Sequence, residues 1–330
     1  MKQFDLAWGN AVAIRHAFLE GIPKTIFFKM SDENLRYTPH NGDPTLIEIT
    51  RKVLERQIGR TYKHIFLTNG ATGGVTIALR AYEQKGHKTV YTRKPPFFPV
   101  YPAMIQAAGM QHFYDMPTTQ KVLSQQNPVT LLDSPANPTG AINENIWTPT
   151  PVIWDAVYYS KVYISGFYHP PTHDLIVGSY SKLLGLNGLR TGWIATNDDA
   201  LALRLAALVE AEYCGLSSAS NVILLQVLKD YRSKTFWENF EYRAKNALND
   251  NRGEWSKLEK FFGNQPICQD GMFYYAPVDG ACHRLLTKSG ITWTPGSKLW
   301  ASDSHGRFNL GQDRKLVKEA VKEILKNDRR

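Results

Sequence analysis

The sequence has 330 residues, of which 43% are hydrophobic and 21% are charged. These values are ordinary for globular proteins and exclude a largely disordered chain, and the length suits one large domain plus a smaller one. The formal charge of +9 comes from 39 basic and 30 acidic residues. Acidic and basic residues are interleaved in residues 315–330, which is typical of a solvated helix face and argues against a nucleic-acid partner.

Cysteines and apolar runs restrict the class of protein further. Cys214, Cys268 and Cys282 form no CxxC pair, which argues against a disulfide framework or a metal site and favours a reducing compartment. No apolar run approaches the roughly 20 residues of a membrane span. The first 21 residues lack the pattern of a cleaved signal peptide. We therefore expect a cytoplasmic protein without metal or membrane contact.

Short apolar runs alternate with helical segments, which is typical of a mostly parallel sheet with crossover helices. Seven strands are predicted at residues 64–67, 89–91, 112–114, 130–132, 152–154, 175–178 and 191–195. Helices are predicted at residues 71–82, 100–108, 199–213 and 217–229. A charged helical stretch at 234–262, short strands at 271–276 and 307–310, and a last helix from Asp313 follow.

The predicted fold is therefore α/β, with a mostly parallel seven-stranded sheet flanked by helices and a smaller α+β domain. We place the large domain at residues 30–235. The small domain is then built from residues 1–29 and 236–330.

Polar residues are concentrated just after the predicted strands, where open α/β sheets bind ligands. After the first strand, Thr-Asn-Gly-Ala-Thr-Gly-Gly (68–74) leads into a helix. Small residues at a helix N-terminus let a phosphate approach the backbone amides. The same composition also suits a plain strand-to-helix turn, so both interpretations stay open here.

Three later strand ends carry candidate chemical groups. The fourth strand precedes Asp-Ser-Pro-Ala-Asn-Pro-Thr-Gly (133–140), a rigid turn that holds Asn137 at the mouth of the sheet. Asp155 follows the fifth strand, where a carboxylate needs a positive partner unless it caps a helix. Lys182 follows the sixth strand, with Arg190 further along. A lysine desolvated in a pocket becomes a nucleophile, whereas the alternative is an ordinary surface lysine.

As an ordered set, these motifs resemble the class I and II aminotransferases, which are pyridoxal-phosphate (PLP) enzymes of fold type I, similar to aspartate aminotransferase. The resemblance rests on Ser-Pro-Ala-Asn-Pro-Thr-Gly (134–140), Asp-Ala-Val-Tyr (155–158) and Ser-Tyr-Ser-Lys (179–182) followed by Arg190. It covers nearly the whole chain. It implies PLP as the cofactor, and Lys182, Asp155 and Tyr158 as the catalytic residues.

The resemblance also implies how the cofactor is held. Lys182 would carry PLP as a Schiff base and move the substrate proton, while Asp155 would pair with the pyridinium nitrogen. Tyr158 and Asn137 would contact the phenolic oxygen of the ring. The implied phosphate-binding residues are Gly70, Ala71, Thr72, Ser179 and Arg190.

Two aromatic residues have further implied roles. Phe98, which follows Phe97, matches the aromatic residue that stacks on the cofactor ring in the family. Tyr37 matches a tyrosine that reaches the cofactor phosphate of the partner subunit. The resemblance thus implies a homodimer with shared active sites.

The implied substrate-binding residues come from both ends of the chain and from the turn at Asn137. Arg307 matches the arginine that binds the substrate α-carboxylate, for which a planar guanidinium is well suited. Trp8 and Gly9 belong to a segment that lies beside the substrate in the family. The helix that usually precedes this segment has no counterpart, so substrate specificity is not transferred by the resemblance.

The predicted reaction is a ping-pong transamination between an amino acid and a 2-oxo acid through the Lys182 Schiff base. A PLP-dependent carbon–sulfur β-lyase and a histidinol-phosphate-type aminotransferase are alternatives, because a fold does not determine its reaction. A remote alternative is a non-catalytic effector-binding domain of a transcription regulator. We disfavour it because no room for a helix-turn-helix precedes Asp5.

Overall fold

The computed structural model describes residues 2–22, 25, 29–114, 127–142, 150–166, 175–229 and 233–328. Its strands are β1 (Phe4–Asp5), β2 (His64–Asn69), β3 (Thr89–Thr92), β4 (Gln111–Tyr114), β5 (Pro128–Asp133), β6 (Val152–Asp155), β7 (Leu175–Ser179), β8 (Thr191–Thr196), β9 (Phe273–Pro277), β10 (Ile291–Thr292), β11 (Thr294–Pro295) and β12 (His305–Asn309).

Its helices are α1 (Val12–Leu19), α2 (Asp32–Leu35), α3 (Pro44–Ile58), α4 (Gly70–Gln84), α5 (Tyr101–Ala107), α6 (Tyr180–Leu183), α7 (Asp199–Tyr213), α8 (Ser218–Lys229), α9 (Lys234–Trp255), α10 (Gly280–Lys288) and α11 (Arg314–Asp328). Short 3-10 turns occupy Asn187–Leu189, Ser256–Phe262 and Gly296–Leu299.

The largest sheet among the described residues has seven strands in the order β2–β8–β7–β6–β5–β3–β4. Neighbouring strands are parallel except where β8 lies antiparallel to β2 and β7. All seven predicted strands lie in this sheet, so the predicted α/β fold is confirmed. Because β3, β5, β6 and β7 run in the same direction, their carboxyl ends meet at one edge of the sheet.

Helices cover both faces of this sheet, which explains the continuous apolar sequences of its central strands. Leu131 and Ile153 pack in a cluster with side chains of α4, α5 and α7. The next residues along the strands, Leu132 and Trp154, pack on the other side with α1, α3, α8 and α9. The two-residue period of the strands therefore divides one apolar run between two cores.

A second layer of strands comes mainly from the C-terminal part of the chain. Strands β11, β12 and β9 form an antiparallel sheet, and β1 pairs in parallel with β10. Trp255, Phe308 and Val317 belong to the apolar cluster that packs this layer against α9 and α11. This part has the predicted α+β character, while the domain boundaries at residues 30 and 235 stay a prediction.

Element boundaries shift slightly from the sequence expectations, for local reasons. The strand predicted from residue 271 begins at Phe273, because Gly271 has a left-handed backbone (φ +70) that a strand does not adopt. The stretch 234–262 is helical as predicted, but it changes to a 3-10 turn after Trp255. In the parts of the chain described here, no helix has the length and apolar character needed to cross a membrane.

Candidate active site

A cavity of about 380 Å³ opens at the carboxyl ends of β5, β6 and β7. Side chains of the large sheet form its floor, and residues from β9, β12 and the segment after β1 close it from the other side. Most of the predicted site residues line it, namely Trp8, Gly9, Ala71, Thr72, Phe98, Asn137, Asp155, Tyr158, Ser179, Lys182, Arg190 and Arg307.

Lys182 lies in the short helix α6 that begins directly after β7. Ser179 is the N-cap of this helix, and its hydroxyl accepts a hydrogen bond from Ser181 N at 3.0 Å. The Lys182 ammonium donates to the carbonyl oxygen of Gly9. Burial, followed by the positive charges of Arg307 and Arg190, lowers the pKa of Lys182 to about 8. A substantial fraction of its amine is therefore neutral and nucleophilic near pH 8.

Asp155 is the last residue of β6 and faces the same cavity. Its Oδ2 accepts a hydrogen bond from the Tyr101 hydroxyl at 2.8 Å, and its Oδ1 accepts one from Val157 N at 3.1 Å. Burial raises the pKa of Asp155 to about 7, while the Tyr101 hydrogen bond lowers it and the nearby charge of Asp133 raises it. Such a carboxylate gains most from a cationic partner brought by a ligand.

Asp133 ends the neighbouring strand β5 and organises the turn that carries Asn137. Its Oδ2 accepts a hydrogen bond from Asn137 N at 2.9 Å, and its Oδ1 lies 3.5 Å from Arg93 Nε. Burial raises the pKa of Asp133, and the charge of Arg93 opposes this effect. Asp133 therefore fixes the Asn137 backbone at the wall of the cavity.

The first turn of α4 and Arg190 form a cationic cradle at another wall. The N-cap residue Asn69 makes no side-chain capping bond, so the first amide groups of α4 are available to a ligand. A Cβ atom on Gly70, which has φ +69, would lie 2.7 Å from Arg190 Nη2. The guanidinium therefore packs directly against this turn. Arg190 Nη1 also donates to Asn187 O at 3.2 Å.

Arg307 on β12 is a buried cation with polar partners on several sides. Its Nη1 donates to Asn137 Oδ1 at 3.0 Å, and its Nη2 donates to Ala7 O at 3.0 Å and to Thr294 Oγ1 at 3.1 Å. The guanidinium also lies 4.3 Å from the ring centroid of Phe273. Its Nε is buried without a hydrogen-bond partner among the described residues. This arrangement suits an incoming carboxylate.

Aromatic residues make up much of the remaining wall. Phe98 lines the cavity, whereas Phe97 is fully buried and does not line it. Of these two neighbours, only Phe98 is placed to stack on a ligand in the cavity. Tyr158 packs edge-to-face against Phe273 with ring centroids 5.6 Å apart. Burial raises the pKa of Tyr158, which keeps its hydroxyl protonated and able to donate a hydrogen bond.

The segment Trp8–Asn10 is held in place by Asn309. Asn309 Nδ2 donates to Trp8 O at 2.6 Å and to Asn10 O at 2.8 Å. Its Oδ1 accepts from Gly311 N at 2.8 Å, and the side chain is fully buried. Asn309 thereby places the Gly9 carbonyl against Lys182.

Two predicted residues lie outside the cavity lining. Gly70 stands behind it, in the turn beneath Arg190. Tyr37 is 88% exposed and does not line the cavity of its own chain. The role of Tyr37 at the site of a partner subunit therefore stays a prediction.

Sequence reasoning assigned no role to several residues that the structure places at the site. Tyr101 is one of them, because its hydroxyl donates a hydrogen bond to Asp155. Arg93, Asp133 and Asn309 were not recognised as supporting residues. Asp133 did carry a signal, because it is an acidic residue at the end of an apolar strand. In the described ranges, no three or more His, Cys, Asp or Glu residues are grouped so as to hold a metal.

The sequence profile of the family named aminotransferase class I and II matches residues 3–324. The chain belongs to this family. It is thus an enzyme of the aminotransferase class, as its motifs predicted, and relatives named transaminases agree with this assignment.

Similar proteins include the (5-formylfuran-3-yl)methyl phosphate transaminase of Methanocaldococcus jannaschii, 23% identical over 89% of this chain and 84% of that protein. A histidinol-phosphate aminotransferase of Caldanaerobacter subterraneus subsp. tengcongensis is 29% identical over 76% of this chain and 73% of that protein.

Among solved structures, a tetra mutant of Thermus thermophilus aspartate aminotransferase complexed with tryptophan matches with a TM-score of 0.76 and 15% identity, over 98% of this chain and 91% of that one. This likeness confirms the fold.

Proposed function

We propose that this aminotransferase is PLP-dependent and moves an amino group between an amino acid and a 2-oxo acid by a ping-pong mechanism. The observation that carries the proposal is the buried Lys182 amine, which shares one cavity with Asp155, Arg190 and Arg307. A nucleophilic amine, a carboxylate, an anion-binding cradle and a buried guanidinium are the groups that PLP and an amino acid require together.

The chemistry of the cavity fits PLP at each of its functional groups. The uncapped N-terminus of α4 and Arg190 would hold the phosphate, and Asp155 would hold the ring nitrogen. Phe98 would cover a ring face, and Lys182 would be the attachment point. When bound, PLP supplies an aldehyde carbon that accepts amino groups and a ring that withdraws electrons from the substrate α-carbon.

Asp155 and its neighbours determine the charge of the site at the end that would hold the ring nitrogen of PLP. A cation beside Asp155 lowers the pKa of this carboxyl below about 7, so the carboxylate is ionised at neutral pH when it has such a partner. Its charge would in turn keep the ring nitrogen protonated. Tyr158 and Asn137, which line the same cavity, would donate hydrogen bonds to the phenolic oxygen.

The substrate would be bound and deprotonated by two further residues. Arg307 would bind the α-carboxylate, and its unpartnered Nε supports this role. Lys182, with its pKa lowered to about 8, would accept the proton from the substrate α-carbon. Addition of water would release the first substrate as a 2-oxo acid and leave its amino group on the cofactor. A second 2-oxo acid would take up this amino group with loss of water, while Lys182 returns a proton to the α-carbon.

We also propose a homodimer with shared active sites. The support is Tyr37, which is 88% exposed although it is aromatic, together with exposed Met30 and Leu35 close by in the sequence. Sedimentation equilibrium of the wild type and of Tyr37→Ala, combined with PLP titration, tests this. We expect a dimer in both cases and weaker PLP binding only in the variant.

The main test is the visible absorption spectrum of PLP-loaded protein. We expect the wild type to show a Lys182-dependent band that bleaches when a suitable amino acid is added, with release of the matching 2-oxo acid. Lys182→Ala should lack the band. Lys234→Ala is the matched control, because the Lys234 side chain is 82% exposed and is not part of the cavity lining.

Two outcomes would change the proposal. A wild-type spectrum identical to that of Lys182→Ala would remove Lys182 as the attachment point. Release of pyruvate and ammonia, rather than a 2-oxo acid that keeps the substrate side chain, would favour the β-lyase alternative. A histidinol-phosphate-type donor is distinguished by including it in the amino donor panel.

A further inference from the structure

Trp300 has an unusual backbone for a bulky residue. It follows the 3-10 turn Gly296–Leu299 with φ +64 and ψ +20, in the left-handed region. Glycine is the usual residue at such a position, because a side chain there crowds the backbone. A tryptophan is therefore retained at this place against its conformational preference, and such strain often accompanies function.

The Trp300 side chain does not fill a core, since it is 52% exposed. Its indole Nε1 donates to Pro99 O at 3.0 Å. Pro99 lies between Phe98 and Val100, and all three line the active-site cavity. The preceding residue, Leu299, accepts a hydrogen bond from Phe97 N at 3.4 Å. The indole is thus hydrogen-bonded to a residue of the cavity lining, although Trp300 is not itself one of the lining residues.

A second exposed tryptophan belongs to the same rim. Trp8 lines the cavity and is 71% exposed. Its neighbour Ala7 accepts a hydrogen bond from Thr294 Oγ1 at 2.9 Å, in the strand that leads to the Trp300 turn. That turn is itself braced, because Ser297 N donates to Asp303 Oδ1 at 2.8 Å. The segments that carry the two indoles are therefore connected by hydrogen bonds.

The charged side chains of the cavity are already engaged. Among the described residues that line it, these are Asp133, Asp155, Lys182, Arg190 and Arg307. The two carboxylates accept hydrogen bonds from the Tyr101 hydroxyl and from Asn137 N, and the three cations have roles toward cofactor and α-carboxylate in the proposed function. A charged substrate side chain would find no unengaged charged partner among these residues, whereas an aromatic ring gains contacts with the exposed indoles.

We propose that Trp300 and Trp8 form an aromatic rim that receives the side chain of the amino donor, and that the preferred donors are amino acids with aromatic side chains. This inference rests on the proposed function, because it takes Arg307 as the group that holds the α-carboxylate. Trp300 is the specificity-determining residue of the rim, because the hydrogen bond to Pro99 O fixes its indole there. The backbone conformation at this position would by itself favour glycine.

The test is calorimetric binding of 3-phenylpropanoate and of succinate to PLP-loaded protein. Both ligands carry a carboxylate for Arg307, and neither carries an amino group that could react. We expect the wild type to bind 3-phenylpropanoate about tenfold more tightly than succinate. Trp300→Gly should weaken the binding of 3-phenylpropanoate about two- to tenfold and leave the affinity for succinate nearly unchanged. Trp300→Phe should keep most of the preference.

The variants are chosen so that folding does not obscure the result. Glycine suits φ +64, so Trp300→Gly should unfold no earlier than the wild type on heating. Tyr242→Ala removes another exposed aromatic ring, 70% exposed and outside the cavity lining, and should leave both affinities unchanged.

Several results would overturn the rim. In Trp300→Gly, these results are an equal loss of affinity for both ligands or no change in either affinity. In the wild type, they are a preference for succinate or the absence of binding of both ligands. If the Lys182-dependent band is present in any of these cases, the rim is wrong and the cofactor assignment stands. Absence of the band would instead refute the proposed function.

Discussion

Asp133 and Asp155 lie side by side at the carboxyl ends of β5 and β6, where they are register partners in adjacent parallel strands. Asp133 faces Arg93, and Asp155 accepts a hydrogen bond from Tyr101. Burial raises the pKa of Asp155 to about 7, with Tyr101 opposing this rise and Asp133 adding to it. The charge state of the proposed ring-nitrogen partner is thus controlled by two neighbouring side chains of the cavity wall, Tyr101 and Asp133.

Tyr101→Phe removes the hydroxyl that donates to Asp155. Because this hydrogen bond lowers the pKa of Asp155, its loss raises that pKa above about 7. In our proposal, PLP binding requires the ionised carboxylate. As the pH is lowered, PLP affinity should therefore begin to decline at a higher pH in the variant than in the wild type. We expect a shift of about one pH unit, since a hydrogen bond to a charged group contributes about 1.5 kcal/mol. PLP titration from pH 5.5 to 9 measures it, with Tyr242→Phe as the control.

Asp133→Asn should shift the same titration in the opposite direction. The substitution removes a negative charge that raises the pKa of Asp155, while the new amide oxygen can still accept the hydrogen bond from Asn137 N. The pH at which PLP affinity declines should therefore move downward. An upward shift would show that Asp133 acts on Asp155 mainly by positioning and not through its charge.

Arg307→Lys keeps the positive charge but loses the planar fork that reaches Asn137 and Ala7. We expect kcat/KM for the amino donor to fall about 100-fold, as two charge-assisted hydrogen bonds to the α-carboxylate are lost. The PLP spectrum without substrate should stay unchanged. Steady-state kinetics are measured with an amino acid and with the matching amine, which lacks the carboxylate. The comparison separates the loss of carboxylate binding from any general loss of activity. Equal losses for both donors would contradict a carboxylate-binding role.

Gly70→Ala should weaken PLP binding through Arg190. The new Cβ would stand 2.7 Å from Arg190 Nη2, whereas Gly59→Ala adds a Cβ with no atom within 4 Å at a similar backbone angle, φ +74 against φ +69. Both variants should lose about 1 kcal/mol in the free energy of unfolding, because alanine is disfavoured at positive φ. Urea denaturation measures this loss. Only Gly70→Ala should raise the PLP dissociation constant. Equal PLP affinities in both variants would refute the proposal that this turn and Arg190 hold the phosphate.

Much of this site could be predicted from the order of residues along the chain. Asp155 and Ser179 directly follow apolar runs that are typical of buried strands, and Lys182 comes three residues after Ser179. Parallel strands bring their carboxyl ends to one edge. The strand positions were correct for the same reason, since burial on both faces demands continuous apolar sequence.

The supporting contacts depended on tertiary structure, because they join segments that are far apart in the chain. Arg307 reaches Asn137 across 170 positions, and Asn309 holds Trp8 across 301. Trp300 donates to Pro99 across 201 positions, and no local pattern marks either residue as the partner of the other. Hydrophobic periodicity specifies which face of an element is buried, but side-chain partners are decided only when separate elements pack. The sequence alone therefore determined the fold and the group of residues at the strand ends, while the packing of the two sheets decided which side chains support them.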